Sequence, residues 1–161
     1  MKNYSHSFVV AKGIKDAFAL VFDDRATLDA VHGAGRWTAT PWSDNKRDIR
    51  FEMNTDGIPA AVLKIIGNGR MAADVRQTVS ASPDSVVVVN RVRPKVVGAE
   101  FVRIRPTFTL TELFPDSTSV GVSCDVCAIF PPPFNGMVED FMMRTAEVSF
   151  TWLERAISDR P

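Results

Sequence analysis

The chain has 161 residues, and its 19 basic and 19 acidic side chains cancel to a formal net charge of zero. Hydrophobic residues make up 45 % and charged residues 24 %, which is ordinary for a folded domain and excludes a disordered or fibrous chain. The balanced charge argues against a nucleic-acid partner, because proteins held by phosphate contacts carry a basic excess. The length predicts one domain over residues 1–161. Two cysteines, and no long apolar run near the start, predict a cytoplasmic location.

The first quarter of the chain predicts one strand, a split helix and a second strand. Apolar and polar residues alternate over 4–11, which is typical of a strand with one buried face. Helical spacing follows over 14–32, and the charged residues at 23–25 divide it in two. Alternation then returns over 36–42.

Five more strands follow, and all obey the same alternation. They begin near Asp48, Met71, Val86, Val102 and Val120. The connections at 82–85 and 115–117 are short enough for hairpins and hold proline, aspartate and serine. Short turns between alternating strands favour an antiparallel meander over crossover units.

A long helix is predicted over 133–158. Its polar arc covers about a third of the circumference, and apolar residues, among them Val148 and Trp152, fill the rest. We therefore expect this helix to be buried on more than one side. The predicted fold is α+β: a seven-stranded curved antiparallel sheet wrapped round a long C-terminal helix, with a split helix after the first strand. Such a sheet tends to leave a hollow where its curvature exceeds what side chains fill.

This order of elements resembles the helix-grip fold of the START and birch-pollen-allergen superfamily, and the resemblance covers nearly the whole chain. A nearer likeness is to the VASt-type branch, carried by KRDIRF at 46–51, ADVRQT at 73–78, VGAEFV at 97–102 and the terminal helix. The resemblance implies a START-like ligand-binding domain with a central cavity for one hydrophobic molecule. It also implies apolar loops that gate the cavity and touch membranes.

The predicted ligand site combines an apolar wall with two polar side chains. Gln77 and Asn90 fall on buried parities, where they either bond within a filled core or orient the polar end of a ligand. The residues predicted to bind the ligand are Trp37, Phe51, Met53, Met71, Gln77, Asn90, Phe108, Cys124, Phe141 and Met142. Apolar residues in connecting segments predict a cavity rim formed by Val96, Val97 and Phe134.

Few residues suggest catalysis. In an enzyme of this fold, His6 on the inward parity or Glu112 would transfer protons. His32 lies at a helix end, where a partly positive ring suits the helix dipole. Cys124 and Cys127 are three residues apart on a strand, so they face opposite sides and are badly placed to chelate one metal. The sequence predicts neither a metal nor a cofactor.

A basic stripe is predicted on the wet face of the sheet. Its members are Arg91, Arg93, Lys95, Arg103 and Arg105. They form either a solvated face paired with acidic residues or a docking surface for anionic lipid headgroups or an acidic partner.

These observations favour non-enzymatic binding or transfer of a hydrophobic, lipid or sterol-like ligand in an internal cavity. The expected partners are a small hydrophobic molecule and, transiently, a membrane surface. A cyclase or hydrolase-like enzyme of the same fold and an interaction domain with a filled core remain the alternatives.

Overall fold

One curved antiparallel sheet of seven strands, with α-helices against it, forms the frame of the molecule in a computed structural model. The structure describes residues 1–53, 60, 61, 64, 71–95 and 99–160. Its elements are β1 (Lys2–Val10), α1 (Ile14–Phe22), α2 (Arg25–His32), β2 (Trp37–Ala39), β3 (Lys46–Met53), β4 (Met71–Ser82), β5 (Ser85–Pro94), a 3-10 turn (Ala99–Phe101), β6 (Val102–Phe114), β7 (Ser117–Ala128) and α3 (Phe134–Ser158).

The strand order confirms the predicted meander, and the first strand lies at one edge of the sheet beside β7. Neighbours run β1-β7-β6-β5-β4-β3-β2, and every pairing is antiparallel. The β4–β5 and β6–β7 connections are two-residue turns, Pro83-Asp84 and Pro115-Asp116, as their composition predicts.

The predicted break between the first two helices is confirmed. The first helix ends at Phe22, and Asp24 caps the second by accepting a hydrogen bond from the Thr27 N–H at 2.8 Å. An aspartate in this position satisfies a free N–H group of the first turn, so the chain restarts a helix there. The first helix packs over β6 and β7, and the Arg47 side chain of β3 reaches the carbonyl of its last residue, Phe22.

The long helix packs on β1 and β7 of the sheet and on α2, and its deepest burial follows one stripe. Its most deeply buried apolar residues are Val138, Met142, Phe150, Leu153 and Ile157. Val148 and Trp152 remain 44 % exposed each, so the prediction of burial on more than one side was wrong for them. They lie one turn apart on a side of α3 away from that stripe, and the apolar arc is wider than the surface that the sheet covers. Within the described residues, no helix is long and apolar enough to cross a membrane.

Candidate functional site

A row of polar side chains crosses the inner face of the sheet. The strand register places Arg47 opposite Gln77, and Gln77 opposite Asn90. All three are buried, at 6 %, 4 % and 9 % exposure. Polar groups in a core need partners, so three adjacent ones mark a built site rather than a chance arrangement.

Arg47 is held from several sides. Its Nε donates to the Gln77 Oε1 at 2.6 Å, its Nη2 to the Phe22 carbonyl at 2.5 Å and its Nη1 to the Asp23 Oδ1 at 3.3 Å. The guanidinium carbon also lies 4.4 Å from the centre of the Trp42 ring. Burial lowers the pKa of Arg47, and the Asp23 charge opposes that shift. The guanidinium remains charged at neutral pH, because arginine begins from so high a pKa.

Asn90 is the open end of this row. Its Oδ1 accepts a hydrogen bond from the Gln77 Nε2 at 3.2 Å, and its Nδ2 has no hydrogen-bond partner among the described residues. No completely enclosed side-chain nitrogen or oxygen of the described residues lacks a partner. The Asn90 amide nitrogen therefore touches space that a water molecule can enter, and it is available as a donor.

Aromatic residues and a neutral histidine flank the polar row. The Phe51 ring packs at a tilt of 36° against His32 with ring centres 4.8 Å apart, and the Trp37 indole N–H donates to the Asp29 carboxylate at 2.7 Å. Burial, followed by repulsion from Arg47, lowers the pKa of His32 to about 4. The ring is therefore neutral at pH 7, and the expectation of a partly positive ring at the helix end was wrong.

We expect His32 to make the protein less stable in mild acid. The unfolded ring titrates near 6.5 and the folded ring near a pKa of about 4, so the unfolded state binds more protons between these values. The free energy of unfolding should then fall as the pH drops through this window, by up to roughly 2 kcal/mol after a discount for the ring's partial exposure. Urea unfolding at several pH values should show a flatter profile for His32→Gln. If His32→Gln shows the same dependence of stability on pH as the wild type, His32 is not the cause of the loss in acid.

The apolar candidates lie on the central strands and on α3. Phe108 packs edge-on against Phe22 and Phe150, with ring centres 5.2 and 5.8 Å away. Met71, Cys124 and Met142 are buried, and burial raises the pKa of the Cys124 thiol to about 11. Two other predicted ligand and rim residues, Phe141 and Phe134, are half-buried on α3. Met53 is the last residue of β3, and its side chain is outside the described part of the structure. Val96 and Val97 lie outside the described residues altogether. That all of these residues contact a ligand stays a prediction.

The two predicted proton-transfer residues, His6 and Glu112, are not in contact. His6 faces inward on β1, and its Nε2 lies 2.5 Å from the Glu154 Oε2 of α3. The register aligns His6, across β7, with Phe108. Glu112 lies four residues after Phe108 on β6, which is about 13 Å further along that strand. Cys127 is partly exposed on the face opposite Cys124, as their spacing predicts.

A shallow depression of about 520 Å³ lies over β1, β7 and β6. Its polar lining consists mainly of the hydroxyls of Ser5, Ser7, Thr107, Thr109 and Ser123. These residues alternate with the buried ones on their strands, so the depression is on the outer face. A hydroxyl-lined surface differs from the apolar hollow that the sequence predicts.

Arg47 is the residue of this site that the sequence analysis missed. The alternation of β3 puts Ile49 and Phe51 on the inner face, and Arg47 has the same parity. An arginine on a buried parity was therefore the available signal.

No family model matches the chain, and no curated protein matches it. Solved structures do match. The Zhui aromatase/cyclase from Streptomyces sp. R1128 has a TM-score of 0.63 at 12 % identity, over 96 % of this chain and 93 % of that one. A START superfamily protein from Mycobacterium smegmatis has a TM-score of 0.53 at 15 % identity, covering 96 % and 92 %. A STAR-related lipid transfer protein fragment from Xanthomonas axonopodis has a TM-score of 0.56 at 13 % identity, covering 94 % and 85 %.

The chain thus has the START-like helix-grip fold, as the order of its elements predicts. At identities this low the likeness concerns the fold alone, since one fold hosts many functions. The nearer likeness to the VASt-type branch stays a prediction.

Proposed function

We propose that residues 1–161 form a single cytoplasmic domain that binds one hydrophobic, lipid or sterol-like molecule between the inner face of the sheet and α3, without turnover. The observation that carries the proposal is the polar row of Arg47, Gln77 and Asn90, which ends in an Asn90 Nδ2 group with no hydrogen-bond partner among the described residues. A ligand with an apolar body and a hydrogen-bond acceptor at one end matches that combination.

The two halves of the site have different tasks in this proposal. The apolar side chains of Phe108, Phe141 and Met142 would cover the body of the ligand, which is favourable by about 25 cal/mol per Å² of buried surface. The Asn90 amide would donate to the polar end, and one such bond contributes about 0.5–1.5 kcal/mol net. Arg47 and Gln77 would hold Asn90 in position. Among proteins of the same fold, one neighbour is described as a lipid transfer protein, which agrees with a hydrophobic ligand.

Native mass spectrometry of protein purified from cells, followed by titration with fluorescent sterol and fatty-acid analogues, tests the proposal. We expect one ligand per chain, and an affinity in the micromolar range if a few hundred Å² of ligand surface are buried. Absence of both a co-purified ligand and any binding to the panel would favour an interaction domain with a filled core.

Asn90→Leu should change which ligand is preferred while leaving the fold intact. The variant removes the open donor, so affinity for analogues with a polar end should fall about 2- to 10-fold, and affinity for purely apolar analogues should stay equal or rise. Asn3→Leu is the matched control, since it makes the same change on the outer face of β1. Equal losses for polar and apolar analogues would contradict the role given to Asn90.

A second candidate function is an enzyme of the cyclase or hydrolase type. It is favoured by the contact of His6 with Glu154, because a carboxylate that orients an imidazole is a common arrangement in general bases. Three neighbours in fold are described as aromatase/cyclase or ARO/CYC proteins. Under the carrier proposal, His6→Ala leaves ligand affinity within about tenfold. A turnover that is present in the wild type and lost in His6→Ala would favour the enzyme instead.

The carrier proposal includes a transient contact with a membrane, where a hydrophobic ligand would be taken up or released. The connections β5–β6 and β7–α3 leave the sheet at the same end. Of the predicted rim, Phe134 is the first residue of α3, directly after the second connection, and Val96 and Val97 follow β5 in the sequence but lie outside the described residues. Apolar side chains in connecting segments suit such a contact.

A further inference from the structure

Four arginines form a compact block on the outer face of the sheet. Val92 lies opposite Ile104 in the β5–β6 register, so Arg91 is beside Arg105 and Arg93 is beside Arg103. All four are exposed, and among the residues that the structure describes none of them has an acidic partner within 4 Å. Like charges placed opposite each other on neighbouring strands are destabilising.

Three carboxylates next to the block bond to other side chains, while the exposed Glu100 at its end has no ion pair among the described residues. Asp74 is bound by Arg50 and Lys95, each at 2.8 Å, and these contacts hold the pKa of its carboxyl at about 2. Asp48 is bound by Arg76 at 2.9 Å. Asp125, opposite Arg105 in β7, accepts a hydrogen bond from Asn3 at 2.6 Å. Of the predicted basic stripe, Lys95 is therefore paired with an acidic residue, and the four arginines have no such partner among the residues that the structure describes.

An apolar edge adjoins the block at one end of the sheet. Phe101 and Ile129 are 45 % and 63 % exposed, and the Ile129 N–H donates to the Phe101 carbonyl at 2.8 Å. The Phe101 ring also packs edge-on against Phe130, 5.9 Å away. Phe101 precedes Arg103 by two residues and Arg105 by four. The two rows of arginines therefore lie about 7 and 14 Å from the apolar edge.

We infer that this end of the outer face, the apolar edge of Phe101 and Ile129 together with the four-arginine block, docks on an anionic phospholipid bilayer. The inference rests on the proposed function and names the membrane with which the ligand would be exchanged. Apolar side chains of interfacial proteins enter a bilayer by about 5–10 Å, which leaves the nearer arginine row at the level of the lipid phosphates. Guanidinium groups bind phosphate in bidentate geometry, and anionic lipids would relieve the repulsion within the block.

Vesicle flotation with phosphatidylcholine alone, or with about 30 % phosphatidylserine added, tests the inference. The variant Arg93→Gln/Arg103→Gln removes two charges from the block. Its matched control, Arg50→Gln/Arg76→Gln, removes two charges from the same face at arginines that are already paired. We expect binding to the anionic vesicles to fall about 30-fold in the first variant and less than about 3-fold in the second. Phe101→Ser should weaken binding to the same vesicles severalfold, and salt should weaken binding of the wild type.

Several results would overturn the inference. Equal affinity of the wild type for neutral and anionic vesicles would do so, as would equal losses in the two double variants. Binding to polyglutamate without binding to anionic vesicles would assign the block to an acidic polypeptide instead. Because these arginines lie beside each other and form no ion pair among the described residues, Arg93→Gln/Arg103→Gln should unfold at or above the wild-type temperature, and a much lower temperature would contradict the inference.

The ligand titration of the same double variant separates the two proposals. Its affinity for the fluorescent analogues should equal that of the wild type, because the block faces away from the inner site. Charge-dependent vesicle binding without any ligand would refute the carrier function alone. Ligand binding without charge-dependent vesicle binding would refute the docking alone.

Discussion

Phe150→Ala is expected to lower the free energy of unfolding by about 3–5 kcal/mol, as is typical for removing a packed phenylalanine. Phe150 is 6 % exposed, and its ring lies between those of Tyr4 and Phe108, each with its centre 5.8 Å away. It therefore joins α3 to both β1 and β6, and its loss leaves a cavity where three elements meet. Urea denaturation followed by tryptophan fluorescence gives the measurement.

Phe141→Ala makes the same change two and a half turns earlier on the same helix, at a half-buried residue. We expect a loss of about 1–2 kcal/mol, because the transfer and cavity terms both shrink when the ring is already partly open. Trp152→Ala, at a residue that is 44 % exposed, should cost less than Phe150→Ala in spite of the larger side chain. Equally large losses at Phe141 and Phe150 would indicate a filled core and argue against the carrier proposal.

Alternation was enough to predict the sheet, because a strand with one wet face has a period of two that few other structures share. It predicted the inward side of Ile49, Phe108 and Leu110, and the two-residue turns fixed the antiparallel order. Helical spacing was less informative. It identified α3 but overstated its burial at Val148 and Trp152, because an apolar arc does not state which part of it a neighbour covers.

The candidate site was predicted in part. Two polar residues on buried parities, Gln77 and Asn90, pointed to a polar row, and the structure places them in contact. The third member, Arg47, is satisfied by Phe22 and Asp23, which come from a helix 24 or 25 residues earlier in the chain. A strand pattern carries no information about a partner that packs across the sheet, so an inward arginine could not be assigned a role from alternation alone.

Gln77→Leu should be the most damaging single change within the polar row, with an expected loss of about 2–4 kcal/mol in the free energy of unfolding. Gln77 bonds both neighbours: its Oε1 accepts from the Arg47 Nε, and its Nε2 donates to the Asn90 Oδ1. Leucine is similar in size, so the loss would come from the bonds rather than from a cavity. A charged donor left without its partner in a buried position is worse than a missing neutral bond. For that reason Asn90→Leu, at the far end of the row, should cost less.

The double variant Arg47→Met/Gln77→Leu tests this explanation directly. If the loss in Gln77→Leu comes from the buried Arg47 Nε–H that is left without an acceptor, removing the guanidinium as well removes the cause, and the double variant should be no less stable than Gln77→Leu alone. Methionine follows the arginine stem and keeps an apolar contact with Trp42, whose ring now lies under the guanidinium. If the loss in the double variant equals the sum of the losses in Arg47→Met and Gln77→Leu, the two residues stabilise the fold independently. In that case the row would be three separate polar residues, and Arg47 and Gln77 would not position Asn90 for a ligand.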